Sequence, residues 1–85
     1  MKQELIKDQN LNIVLAKKMV LLGKRIKSFR QYKDFTQQYV AFNIGTDKCV
    51  ISSIELGTRR NVTLYTLIKI SSALEVDIED LFNKL

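Results

Sequence analysis

The stretch that decides the fold is residues 36–57, TQQYVAFNIGTDKCVISSIELG. Thr36 is a residue type that begins helices, because its hydroxyl accepts hydrogen bonds from backbone N–H groups two or three residues further on. Gly45 is typical of a helix end, since glycine adopts the left-handed conformation with little strain. Asp47 can begin a second helix in the same way as Thr36, and its charge suits the positive end of the helix dipole. The stretch therefore predicts two short helices joined by a tight turn.

Apolar residues recur at steps of three and four in both halves of this stretch, so each helix has one buried stripe. The groups left on the outer face of the second helix are polar and mostly short. They are Lys48, Cys49, Ser52 and Ser53. Hydroxyl donors and a lysine on such a face are typical of a helix that reads base edges in the major groove of DNA.

The same residues resemble the helix-turn-helix of the Cro/CI-type (XRE) family of phage and bacterial regulators. The matching elements are Thr36-Gln37, Ala41, Gly45, Ile51-Ser52 and Ile54-Glu55-x-Gly57. The likeness covers residues 20–82. It implies an all-α, five-helix, lambda-repressor-like DNA-binding domain at residues 20–85, preceded by an N-terminal helical extension. The run from Asp47 to Ser52 is also similar to that of restriction–modification controller proteins, which are short dimers.

The resemblance implies roles for individual residues. Gln37 would contact a DNA phosphate and steady the recognition helix, and Arg30 and Glu55 would form an internal salt bridge. The loop after the recognition helix would run along the phosphate backbone, where arginine and amide donors bind. This loop is one residue longer than in many relatives, so which arginine contacts phosphate stays open. The expected DNA-binding set is Gln37, Asp47, Lys48, Cys49, Ser52, Ser53, Thr58, Arg59, Arg60 and Asn61.

Composition narrows the function. The chain has 85 residues, enough for one small domain, and a net charge of +5. Residues 9–33 contain seven Lys or Arg and no acid, whereas acids gather near the C-terminus, which favours a polyanionic partner. There is no histidine and one cysteine, so we expect no catalysis, no metal and no cofactor. The chain shows neither a signal peptide nor a membrane span, and we expect a cytoplasmic location.

Residues 1–19 are predicted to form an N-terminal extension, either an arm or an extra helix. The apolar positions of residues 11–29 follow helical spacing, but Gly23 interrupts them and predicts a bend or a division into two helices. Three further apolar residues need a second partner surface, which is the domain itself, a second chain or an acidic membrane surface. They are Ile13, Val20 and Leu21.

The last part of the chain is predicted to hold two helices that begin at Thr63 and Asp77, the second with Asp80 in a capping box. One domain of this kind covers half of a DNA site, so we expect a homodimer on a palindromic operator. The dimer contact is expected on the apolar face of the last helix. Its residues are Ile78, Leu81, Phe82 and Leu85.

The sequence thus favours a sequence-specific regulator of transcription, a repressor or autoregulator, that binds double-stranded DNA. The alternative is an antitoxin-like or other protein-interaction module, in which residues 1–19 bind a protein partner and DNA binding is secondary.

Overall fold

The computed structural model describes residues 2–85, with side chains from Asn10 onward. This part of the chain contains five helices and no strand, which confirms the all-α prediction. The helices are α1 (Lys2–Tyr32), α2 (Gln37–Ile44), α3 (Lys48–Leu56), α4 (Leu64–Leu74) and α5 (Ile78–Phe82). The predicted N-terminal extension lies partly outside the described residues, because Met1 and the side chains of residues 2–9 are not included. None of the five helices combines the length and apolarity needed to cross a bilayer.

Helix boundaries follow the capping residues. The Thr36 hydroxyl accepts from the Tyr39 N–H at 3.0 Å and begins α2. Gly45 ends α2 in the left-handed conformation, with φ 75° and ψ 39°. Thr63 begins α4 by accepting from the Thr66 N–H at 3.1 Å. Asp47 occupies the N-cap position of α3, but the predicted side-chain hydrogen bond is wrong: its carboxylate makes no cap bond and faces solvent.

The core contains one buried stripe from each helix, and it joins the two short helices of residues 36–57 to the rest of the domain. Leu81 is fully buried in this core. Its predicted place in a dimer surface is therefore wrong, because a side chain already enclosed by its own chain cannot contact another. Ile78 and Leu85 are half-buried and Phe82 is 40% exposed, so part of the α5 face remains accessible.

Of the two alternatives predicted at Gly23, a bend or a division, the division into two helices is wrong, because α1 is one uninterrupted helix. Gly23 instead allows a close approach between helices. A Cβ at this position would lie 2.4 Å from the carbonyl oxygens of both Ile54 and Glu55. At the other side of the contact, a Cβ on Gly57 would lie 2.7 Å from the Val20 Cα. The backbones of α1 and the C-terminal end of α3 therefore touch directly, which fixes the position of α3.

Candidate nucleic-acid interface

The outer face of α3 carries the residues that the sequence predicted there. Lys48 and Cys49 are exposed and Ser52 and Ser53 are half-exposed, whereas the aliphatic side of the helix lies in the core. The N-terminal half of α3 thus presents a cation, a thiol and hydroxyls to solvent. These are groups that can meet the donors, acceptors and methyl groups of base pairs in the major groove.

Ser53 is less free than the sequence suggested. Its hydroxyl donates to the Val50 carbonyl at 2.9 Å and accepts from Arg59 Nε at 2.8 Å. The sequence predicted Ser53 on the base-reading face of α3 and Arg59 and Arg60 in the loop beside the phosphates, with no contact between the two groups. In the structure the hydroxyl holds the guanidinium against the recognition helix, so the two residues act together.

The other residues of the loop after α3 also stay close to its C-terminal end. Thr58 donates from its hydroxyl to the Ser53 carbonyl at 3.2 Å, and Arg60 Nη1 donates to the Gly57 carbonyl at 2.8 Å. Asn61 is exposed. The loop therefore brings two arginines beside the recognition helix, each with donors left over for a phosphate.

An open cleft lies where the N-termini of α2 and α3 approach each other. It is lined by two cations, a hydroxyl and two amides. These belong to Arg30, Thr36, Gln37, Gln38 and Lys48. The backbone N–H groups at a helix N-terminus favour an anion, and the lining side chains add donors for one. The cleft can therefore bind a phosphate of the DNA backbone.

Gln38 is the residue of this cleft that the sequence analysis missed. Its position directly after Gln37, in the first turn of α2, was the available signal, because donors in that turn reach the same anion as the backbone N–H groups.

A buried network joins α1, α2 and α3 beneath this cleft. Arg30 donates from Nε to Glu55 Oε2 at 2.6 Å and from Nη2 to Oε1 at 3.0 Å. Its Nη1 donates to the Phe35 carbonyl at 2.8 Å. Gln37 Nε2 donates to Glu55 Oε1 at 2.9 Å, and Glu55 is only 5% exposed. Gln37, which is expected to contact a phosphate, thus uses one N–H of its amide to bind the recognition helix, and its second amide N–H is left for DNA.

Two further residues of the predicted interface, Asp47 and Cys49, are exposed at the start of α3. Asp47 is exposed at the start of α3, where a carboxylate can accept from cytosine N4 but repels phosphate. Cys49 is an exposed free thiol. Among the described residues no group of three potential ligands could hold a metal ion.

Comparison with known proteins agrees with this geometry. The Helix-turn-helix family model HTH_3 matches residues 26–81. The transcriptional regulator SinR of Bacillus licheniformis is 33% identical over 64 residues, which are 75% of this chain and 58% of SinR. The chain thus spans just over half the length of that relative. Control protein C.MunI of Mycoplasma sp is 38% identical over 65 residues, which are 75% of this chain and 86% of C.MunI.

Solved structures show the same fold. The restriction–modification controller protein C.AhdI from Aeromonas hydrophila superposes with a TM-score of 0.74 at 31% identity, covering 79% of this chain and 96% of C.AhdI. The clp gene regulator ClgR from C. glutamicum superposes with a TM-score of 0.72 at 25% identity, covering 76% and 83% of the two chains.

Proposed function

Since this chain belongs to the XRE-type helix-turn-helix family of DNA-binding transcription regulators, we propose that it reads the major groove of a palindromic operator as a homodimer. The observation that carries the proposal is the position of α3. Its exposed polar face lies next to the cation-lined cleft at the N-termini of α2 and α3, so base edges and backbone phosphates can be contacted at once.

The dimer follows from the size of the reading surface. One nine-residue recognition helix reaches about half of an operator, and two-fold related helices about one DNA turn apart reach both halves. The accessible apolar residues of α5 and of the chain end after it, namely Ile78, Phe82 and Leu85, support a dimer contact at that end of the domain.

A dimer bound at a promoter would exclude other proteins from the same stretch of DNA. It would thereby repress the gene that the promoter controls, including its own gene in the case of autoregulation. We place the protein in the cytoplasm, where it acts without catalysis and without a cofactor.

The test is selection of bound sequences from a random duplex DNA library. The expected product is a two-fold symmetric pair of half-sites about one helical turn apart. Failure to enrich any sequence would contradict the proposal.

The same selection tests the reading face. Lys48→Ala with Ser53→Ala removes a base-edge donor and the hydroxyl that holds Arg59, so preference should fall by about tenfold at the bases they face. The fold should remain intact, because both side chains lie outside the core. Lys84→Ala, after the end of α5, is the matched control and should leave the selected sequence unchanged. An unaltered preference in the double variant would remove this face from the interface.

The loop arginines are tested by salt dependence. Arg59→Ala with Arg60→Ala should weaken binding to all sequences and reduce the slope of log affinity against log salt concentration by about 1 to 2, since each lost phosphate contact releases one counterion fewer. Titrations of both single variants at several salt concentrations show which arginine contacts phosphate. A slope equal to that of the unaltered protein would place the loop away from DNA.

A further inference from the structure

The N-terminal part of α1 extends beyond the domain with its apolar side chains uncovered. We use the term overhang for residues 10–21 of α1, of which the residues from Lys18 onward still touch the domain. Leu15 and Leu11 lie seven and eleven residues before the buried Leu22, so they continue the core stripe of the helix. They are nevertheless 50% and 52% exposed, because the domain does not reach that far. The apolar stripe of α1 therefore continues beyond the part of the helix that its own domain covers.

A second side of the overhang is apolar as well. Ala16, Lys17, Val20 and Leu21 line an open groove whose walls are almost wholly apolar. Including Ile13 and Val14, six large aliphatic side chains between positions 11 and 21 are 37% to 56% exposed. A contiguous set of this size marks an interaction surface, whereas isolated exposed apolar residues do not.

The charge of the overhang selects its partner. Lys17 and Lys18 are exposed and no acid occurs in residues 9–33, so the surface is apolar with basic edges. Two overhangs placed side by side would bring like charges together, which destabilises a contact. The matching surface is apolar with acidic edges.

Helix α5 of this same chain offers that surface. Phe82 is 40% exposed and Ile78 half-buried, and both lie beside the exposed acids Glu79 and Asp80. Within one chain, α5 and the residues after it face the part of α1 that follows residue 17: Lys18 Nζ donates to the Leu85 carbonyl, and Arg25 Nη1 donates to the Leu81 carbonyl. The chain therefore does not cover its own overhang.

We propose that the occupant is a second copy of this chain, in which the overhang of each protomer packs across α5 of the other. The inference rests on the homodimer of the proposed function and identifies the surface that holds it together. The arrangement is two-fold symmetric, so each contact occurs twice. Leu15 lies about 22 Å along the helix from Arg30 in the DNA cleft, by a rise of 1.5 Å per residue. The contact therefore leaves both reading surfaces accessible.

The apolar contact is tested by Leu11→Ser with Leu15→Ser, measured by sedimentation equilibrium of the full chain. The dimer dissociation constant should rise about 100-fold, with helix content by circular dichroism unchanged. The matched control is Leu64→Ser with Ile68→Ser, because these α4 side chains are 60% and 45% exposed. The control should dimerise like the unaltered chain. Equal dimerisation by the overhang variant would overturn the proposal.

The crossed arrangement, in which the overhang of each protomer packs across α5 of the other, is tested by charge reversal. One chain carries Lys17→Glu, and a second carries Glu79→Lys. Each alone should dimerise about tenfold more weakly, because the first variant places an acid of the overhang opposite the acids of α5 and the second places a lysine of α5 opposite the basic edge of the overhang. A mixture of the two should form heterodimers as tightly as the unaltered chain, since both contacts again pair opposite charges. A Glu79→Lys chain that dimerises fully on its own would indicate an overhang-to-overhang contact and overturn the crossed arrangement.

Failure of this inference is distinguishable from failure of the DNA-binding proposal. The Leu11→Ser with Leu15→Ser variant should still bind a single half-site duplex at low salt with unaltered affinity, because the DNA face is intact. A chain that dimerises and selects a two-fold symmetric DNA site, with a Leu11→Ser and Leu15→Ser variant that dimerises equally well, would overturn the overhang inference alone. A dimer that selects no DNA sequence would overturn the DNA-binding proposal alone.

Discussion

Replacing Gly23 with alanine is expected to lower the free energy of unfolding by about 3 kcal/mol, the upper part of the usual range for overpacking. The new Cβ would lie 2.4 Å from the carbonyl oxygens of Ile54 and Glu55 and 2.8 Å from the Glu55 carbonyl carbon. All three atoms belong to the backbone, so no side chain can turn aside. Urea denaturation followed by circular dichroism measures the change.

Two opposing effects make this experiment decisive. Alanine in a helix is favoured over glycine by about 1 kcal/mol, so a helix position without a close neighbour would gain stability. A stabilised Gly23→Ala chain would therefore contradict the α1–α3 contact. Gly45→Ala is the comparison, since no atom lies within 4 Å of its Cβ position. There we expect a loss of about 1 to 2 kcal/mol from the left-handed backbone alone.

Replacing Glu55 with alanine is expected to lower the free energy of unfolding by about 3 to 5 kcal/mol. The substitution leaves Arg30, whose side chain is 11% exposed, without its carboxylate partner, and it removes an acceptor from Gln37. The double variant Arg30→Met with Glu55→Leu should lose less than Glu55→Ala, because no buried charge is left unpaired. Urea denaturation of Arg30→Met, of Glu55→Leu and of the double variant gives the coupling energy.

The exposed ion pair of Lys33 and Glu75 provides the control. Its Nζ and Oε1 atoms are 3.2 Å apart, and the two side chains are 29% and 67% exposed. Solvent screening limits such a pair to about 1 kcal/mol or less, so Lys33→Ala should change stability little. An equal loss for Glu55→Ala and Lys33→Ala would show that the Arg30 network does not hold α3 in place.

The sequence was informative wherever the structure depends on neighbours along the chain. Thr36, Gly45 and Thr63 set helix boundaries through contacts a few residues away, and spacing within each helix identified the buried stripe. Once the apolar stripe of α3 was assigned to the core, the remaining residues identified its outward face. The resemblance supplied the pairing of Arg30 with Glu55, which spacing alone could not have given, since the two residues are 25 positions apart.

The failures concern contacts between distant parts of the chain. Gly23 suggested a break in the helix, because local propensity contains no information about the carbonyl groups of α3 that approach it. Leu81 shares an apolar pattern with its neighbours on α5, and only the packing of α1 against α5 decides which of them is enclosed. Ser53 looked like an independent base contact, since nothing in its spacing reveals that Arg59 folds back onto it.

The uninterrupted course of α1 has a mechanical consequence. The overhang and the Arg30 end belong to one continuous helix, so the surface proposed to hold a partner and the Arg30 network that positions the recognition helix cannot turn independently. Inserting a single residue between them would rotate one end by about 100° relative to the other, as each residue does in a helix of 3.6 residues per turn. In the proposed dimer, the length of α1 therefore sets the separation of the two recognition helices, and a shift in register there would misalign them without altering any residue of the proposed DNA-binding face.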